Sequence, residues 1–439
     1  MESGQRKVVV VGAGIAGLTA AFHLQQRGFN VVVLEKEAAP GGRMRQVELG
    51  GLRVNTGARL LYTFYTPLME LIRQLGLEEE IVYLGHTRMR CNDRGGDYPI
   101  AFTPGLGPLF NSSLKLSTRL RLIRLLPDLL RARFATDPND MSSCAYADHG
   151  TMAEYFTARV GRDFVDKIVD PLFRGARSWN AEDVSPAFFL TSTAHMFGHR
   201  AFTFRRGIGY INEVLASQLD IRYHTEVLGI ERERDGPGAT VSWLEEGAER
   251  ELYADIVVCA TEGVRARHLV ANQSLPEQSF LADVRYNALG VVYHVLKNSP
   301  AHGINFYTRD HPSALAILET VPERDNNKPH LFCELSPEAV EQASREGLQG
   351  ELGQLVRRDV AQLYPGLERE LDHTVSQWIE PMLPVFYPGY IASLRRFAEH
   401  QRGARQAIYY CGDYMAQALV GGACGSGRDI ARLIGEHYR

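Results

Sequence analysis

Residues 7–36 read KVVVVGAGIAGLTAAFHLQQRGFNVVVLEK, and the order of features within them decides the fold. Val8 to Val11 form an unbroken β-branched run, suited to a parallel strand covered on both faces. The chain then turns through Gly12-Ala13-Gly14-Ile15-Ala16-Gly17. Gly12 permits a tight turn, Gly14 lets backbone approach a pyrophosphate, and Gly17 lets the next helix lie close to the strand. The helix start aims free N–H groups and the positive end of its dipole at phosphate. Gly28 ends that helix, Val31 to Leu34 make a second strand, and Glu35 closes it where a carboxylate can accept a ribose 2′-hydroxyl, with Lys36 following. A lone Gly-x-Gly-x-x-Gly would be only a tight turn. Strand, glycines, helix, strand and acid in this order predict a dinucleotide-binding unit.

Working outward, the 439 residues allow two or three domain-sized units. A net charge of -4 gives no reason to expect nucleic acid as a partner. The six cysteines are scattered, with no Cys-x-x-Cys pair, which argues against a zinc site, a redox dithiol and a disulfide framework. Residues 1–7 are polar and run straight into the first strand, and no apolar run is long enough to span a membrane. These features lead to the expectation of a cytoplasmic protein.

Beyond Glu35 comes Pro40-Gly41-Gly42-Arg43, where two glycines let backbone pass a dinucleotide and an arginine can reach phosphate or lie against a ring. Gly57-Ala58-Arg59 follows, with small residues against which a planar cofactor can lie. Together these motifs resemble the N-terminal FAD module of the superfamily that includes monoamine oxidases, protoporphyrinogen oxidases and phytoene desaturases. The resemblance resumes at Gly207-Ile208-Gly209-Tyr210 and at Thr225-Glu226-Val227, and closes at Gly412-Asp413 and at Gly421-Gly422. It implies adenine held by the backbone of Val227, the ribityl or pyrophosphate region bound by Asp413, and a helix beginning at Val420 and Gly421 that faces the flavin pyrimidine.

The implied architecture is α/β: a Rossmann-type FAD-binding domain, discontinuous over 1–75, 205–275 and 385–439. A mixed substrate domain with helices occupies 76–204 and 276–384. Within the latter, residues 113–134 (SLKLSTRLRLIRLLPDLLRARF) form a basic, leucine-rich helical pattern that breaks or kinks near Pro127. It is either a domain helix with a solvated cationic face, a peripheral membrane contact, or a flank to the entrance for a greasy substrate. The segments 168–173 and 188–204 are expected to line a cavity, with His195 and His199 structural.

Residues 289–297, LGVVYHVLK, resemble the strand that enters the flavin pocket in amine oxidases, where a lysine holds a water near flavin N5. His294 stands in that slot here, and it is the one catalytic candidate. Trp378, Tyr387 and Leu419 are expected in the substrate pocket. Leu419 replaces one of the two aromatic rings of amine oxidases, and no cysteine stands at the position that links flavin in monoamine oxidases. Non-covalent FAD follows as the expectation. The function expected is dehydrogenation of a hydrophobic, cyclic or conjugated small molecule, with oxygen or a quinone as electron acceptor. Amine oxidation is the alternative, and a non-redox flavin isomerase or mutase is the alternative of another class.

Overall fold

The computed structural model describes residues 5–85, 87–101, 107–233, 236–245, 248–324 and 327–438; the first four residues of the polar start lie outside it. Strand β1 (Lys7–Val11) lies at the centre of a parallel sheet, and four valines in it have no wet face. On one side it pairs with β2 (Asn30–Leu34), Val9 opposite Val32, and β2 pairs with β3 (Asp220–Arg222). On the other side it pairs with β4 (Ile256–Cys259), Val9 opposite Val257, and β4 with β5 (Ile408–Tyr410). The sheet order is therefore β3-β2-β1-β4-β5, assembled from three distant parts of the chain.

The alternation of β1 divides the core in two. Val8 and Val10 face the helices α1 (Ile15–Gln26) and α2 (Val420–His437). Val9 and Val11 face the other way, towards the antiparallel strands Val227–Arg232, Ala239–Glu245 and Ala248–Ala254. The two helices approach so closely that a Cβ on Gly427 would lie 2.1 Å from the carbonyl oxygen of Ala16. Only glycine fits that crossing.

A second sheet of seven strands runs Leu371–Ile379, Leu289–Leu296, His330–Leu335, Leu315–Val321, Gly303–Tyr307, Met89–Asp93, Gly96–Pro99. One face carries Val291, Tyr293, Phe332 and Ile317 towards the first sheet's core. The other carries Val292, Leu296, Leu331 and Cys333 against the helices Pro337–Glu346 and Leu352–Leu363. Every residue of Leu289–Leu296 is therefore buried. Helices between 107 and 196 complete this half. Among them, a π-turn at Val165–Val169 runs directly into the helix Asp170–Arg177.

The basic segment is helical over Leu116–Arg121, tightens into a 3-10 turn at Leu122–Leu125, and resumes at Leu126–Ala135 with Pro127 in its first turn. Proline lacks the N–H that a continuous helix would need there. Leu116, Leu120, Ile123, Leu126, Leu130 and Phe134 are all exposed on it. No helix among the described residues is long and apolar enough to cross a membrane.

Candidate functional site

The glycine loop at the end of β1 is built by two different needs. Gly12 has φ +104°, a conformation that side-chain-bearing residues rarely adopt, and Gly17 would place a Cβ 2.0 Å from the Gly12 carbonyl oxygen. Both are required by the protein's own packing. Gly14 is different, because a Cβ there would meet nothing within 4 Å. Gly42 stands over it, its Cβ position 3.6 Å from the Gly14 Cα, and the Gly41 N–H donates to the Ala13 carbonyl at 2.8 Å. Two loops thus present bare backbone to one open space. The first turn of α1 has no side-chain cap and no acidic residue, so its N–H donors are left for an anion.

Glu35 is buried behind this loop and accepts from the N–H of Ala13 at 2.7 Å and of Glu37 at 2.9 Å. The Thr225 N–H donates to the Glu35 carbonyl at 2.8 Å, which brings the chain leading to Val227 alongside. Lys36 is exposed and lies 3.6 Å from Glu37.

Arg43 joins the remaining pieces. Its Nη1 lies 2.8 Å from Asp413 Oδ2 and also donates to the Met382 carbonyl, and its guanidinium sits 5.4 Å from the Tyr286 ring centre. The Tyr286 hydroxyl donates to Asp413 Oδ1 at 3.1 Å. Burial opposes the Arg43 charge, but Asp413 outweighs it, so the guanidinium's pKa is raised above its ordinary value. The Arg43 carbonyl accepts from the Ala58 N–H at 2.9 Å, and a Cβ on Gly57 would come within 2.7 Å of that oxygen. Helix α2 begins beside this cluster. A Cβ on Gly421 would meet Asn139 Oδ1 at 2.4 Å and the Tyr65 ring at 2.7 Å, and the first turn again has neither cap nor acid.

Opposite lies the wall formed by the seven-stranded sheet. Arg59 pairs with Glu319 and covers the Phe332 ring at 3.8 Å, while the Tyr293 hydroxyl donates to Gln377 at 3.4 Å. Arg43 and Arg59 lie deep in the protein, yet 28% and 37% of their side-chain surfaces are reachable by solvent. A solvent-reachable opening therefore lies beside these two arginines. Glu319 sits there with its carboxyl pushed down to about 2: burial works against its charge, and Arg59 and His302 overcome it. Burial pushes the neighbouring Glu334 up to about 8, reinforced by Glu319 and only partly offset by Arg59. Glu334 and Tyr293 were missed in the sequence. The only signal was an acid inside the apolar run LFCEL.

Two sequence expectations are corrected by strand parity. His294 points to the opposite face from Tyr293, packed with the helix Leu352–Leu363, and is almost wholly buried. Its Nδ1 lies 2.9 Å from the Thr374 hydroxyl, and burial pushes its pKa down to about 4. Trp378, opposite Gly290, packs on that same outer face, with its Nε1 donating to Glu380 at 2.9 Å. Neither reaches the opening. Tyr387 is engaged elsewhere: its hydroxyl donates to the Asp283 carbonyl at 2.8 Å and its ring meets Arg285 and Tyr390. Leu419 stays at the start of α2, between the two cores. His195 and His199 contact Arg133 and Thr63.

The family model for flavin containing amine oxidoreductase matches residues 15–435, nearly the whole length. The chain belongs to that family. It is an FAD-dependent oxidoreductase. Protoporphyrinogen oxidase 2 of Arabidopsis thaliana is 22% identical over 487 residues, covering 98% of this chain and 94% of that protein. A putrescine oxidase double mutant shares the fold with a TM-score of 0.75 at 18% identity, covering 98% and 99% of the two chains. A fatty acid isomerase from P. acnes does so with a TM-score of 0.70 at 17% identity, covering 97% and 98%. The glycine loops fit the cofactor, since they leave open the space that Gly14 and Gly42 border. Glu35, Arg43 and Asp413 would be the polar groups to hold it.

Proposed function

We propose that this oxidoreductase dehydrogenates a hydrophobic small molecule, oxidising or desaturating it. FAD, when bound, supplies the acceptor for the hydride. The observation that carries the reading is the apolar setting of the opening beside Arg43 and Arg59, with Phe332 and Tyr293 buried behind it and Leu419 partly buried at the start of α2. Apolar walls orient a greasy substrate and exclude water, while the uncapped start of α2 favours negative charge developing next to it. Oxygen or a quinone is the acceptor that fits one nucleotide-binding unit. Anaerobic mixing of purified enzyme with hydrophobic cyclic or conjugated candidates should bleach the flavin absorbance near 450 nm, a general flavin property. Product formed with no bleaching and no acceptor consumed identifies an isomerase instead, and ammonia release identifies amine oxidation.

We also infer that the segment 107–135 rests on an anionic membrane surface. Besides the six exposed apolar residues from Leu116 to Phe134, Leu109 and Phe110 are exposed just before them. Lys115, Arg121 and Arg124 are exposed among these side chains, whereas the one acid, Asp128, is occupied by Tyr155 and Arg159. An apolar ridge with basic flanks suits an interface of headgroups and acyl chains. Co-sedimentation with vesicles containing anionic lipid, weakened by salt and by Ile123→Asp, is the expected result. Equal recovery with neutral vesicles would remove the electrostatic part of this inference.

A further inference from the structure

Two arginines lie one turn apart on the helix Asp170–Arg177, and they are treated oppositely. Arg174 is buried and ion-paired: its Nη1 and Nη2 donate to Glu338 at 2.6 and 2.7 Å, Nη1 also donates to Asn180 at 2.9 Å, and its Nε, without a hydrogen bond, lies 3.7 Å from Asp170. Arg177 has, among the described residues, no carboxylate at ion-pair distance, and its Nε has no hydrogen-bond partner. Its guanidinium lies 5.0 Å from the ring centres of both Phe173 and Phe188. It is near enough to Tyr62 and Tyr65 to influence both electrostatically.

The main chain at Arg177 is tied to the cofactor loops by a short relay. The Arg177 carbonyl accepts from Asn287 Nδ2 at 2.7 Å, and Asn287 accepts from the N–H groups of Met382 and Leu383. Met382 in turn accepts from Arg43. Tyr65, on the other side, touches the start of α2. The next residue, Ser178, is held at φ +52°, an unusual backbone for a non-glycine residue, and its carbonyl also accepts from Asn287, at 3.0 Å. The protein thus fixes the end of this helix firmly and leaves its cation without a counter-ion. Burial lowers the Arg177 pKa from its ordinary value, which an incoming anion would reverse.

We propose that Arg177 is a specificity-determining anion anchor, taking the carboxylate of a hydrophobic substrate whose apolar body lies along the aromatic walls. This rests on the reading that the opening takes a hydrophobic substrate. A guanidinium presents two parallel N–H groups to a carboxylate, and the rings of Phe173 and Phe188 hold its plane.

The experiment titrates the purified yellow holoenzyme with decanoate and with methyl decanoate, following the perturbation of the flavin spectrum. The wild type should bind decanoate at least about tenfold more tightly than the ester. Arg177→Met should abolish that preference by weakening decanoate alone, Arg177→Lys should keep part of it, and flavin content should be unchanged in both. Equal affinity for acid and ester in the wild type overturns the anchor while leaving the hydrophobic reading in place. A preference that survives in Arg177→Met, or loss of flavin from that variant, also overturns it. Binding of neither probe overturns both the anchor and the reading beneath it.

Discussion

The two sides of the opening beside Arg43 and Arg59 are made of different material. The cofactor side is backbone: Gly12, Gly14, Gly17, Gly41, Gly42 and Gly57 bring main chain to main chain, and few side chains intervene. The opposite side is side chain: Tyr293, Phe332, Glu319 and Glu334 project from strands of the seven-stranded sheet, and Arg59 reaches them from the loop after Gly57. Backbone surfaces tolerate almost no substitution and bind a constant partner. Side-chain surfaces can be exchanged without moving a strand, which suits the part of a flavoenzyme family that must vary.

The largest effect should come from placing a side chain on the backbone side. Gly14→Val meets open space in the protein itself, so the fold should survive while bound flavin falls at least about tenfold, read as absorbance per protein after gel filtration. Gly427→Val is its counterpart, with the clash inside the protein, and should give insoluble or grossly destabilised material. Soluble, flavin-loaded protein from either variant would break the contrast.

Asp413→Asn tests the polar joint between the pieces. Removing one partner of a largely buried ion pair costs about 3 kcal/mol, so a lower thermal midpoint and faster flavin loss are expected together.

On the side-chain wall, Glu334 ionises only near pH 8, against an ordinary value near 4.5. A raised carboxyl pKa means that the folded state holds the extra proton, so its contribution is present at low pH and is lost as pH rises from 4.5 through 8. Glu334→Gln should therefore raise the thermal midpoint at pH 8.5 more than at pH 5.

The smallest change belongs to His294. Its pKa is pushed down from 6.5 to about 4, so the unfolded chain takes up the proton first and stability falls as pH drops through that window. His294→Gln should flatten this acid limb in thermal melts and leave turnover within about twofold, the behaviour of a residue outside the site. A large loss of turnover would return it to the chemistry.

This pattern explains what could be read in advance. Gly12, Gly17, Gly41 and Gly42 were legible because each answers a backbone requirement that few other residues meet. The sides of Leu289–Leu296 were not legible. With helices packed on one face and the core on the other, the strand has no polar alternation, so nothing in LGVVYHVL says which residues look inward. His294 and Trp378 were misplaced for that reason. Arg177 was invisible for another: at a helix end an arginine looks like any favourable cation, and the missing partner exists only in three dimensions.

The contact between α1 and α2 joins residues 405 positions apart, Thr19 to Cys424 among them, and the sheet beneath it takes its last strand at Ile408–Tyr410. Contacts so remote along the chain form slowly and late. The phosphate loop therefore gains its brace only once these two distant parts of the chain have met, and the FAD site is completed late in folding.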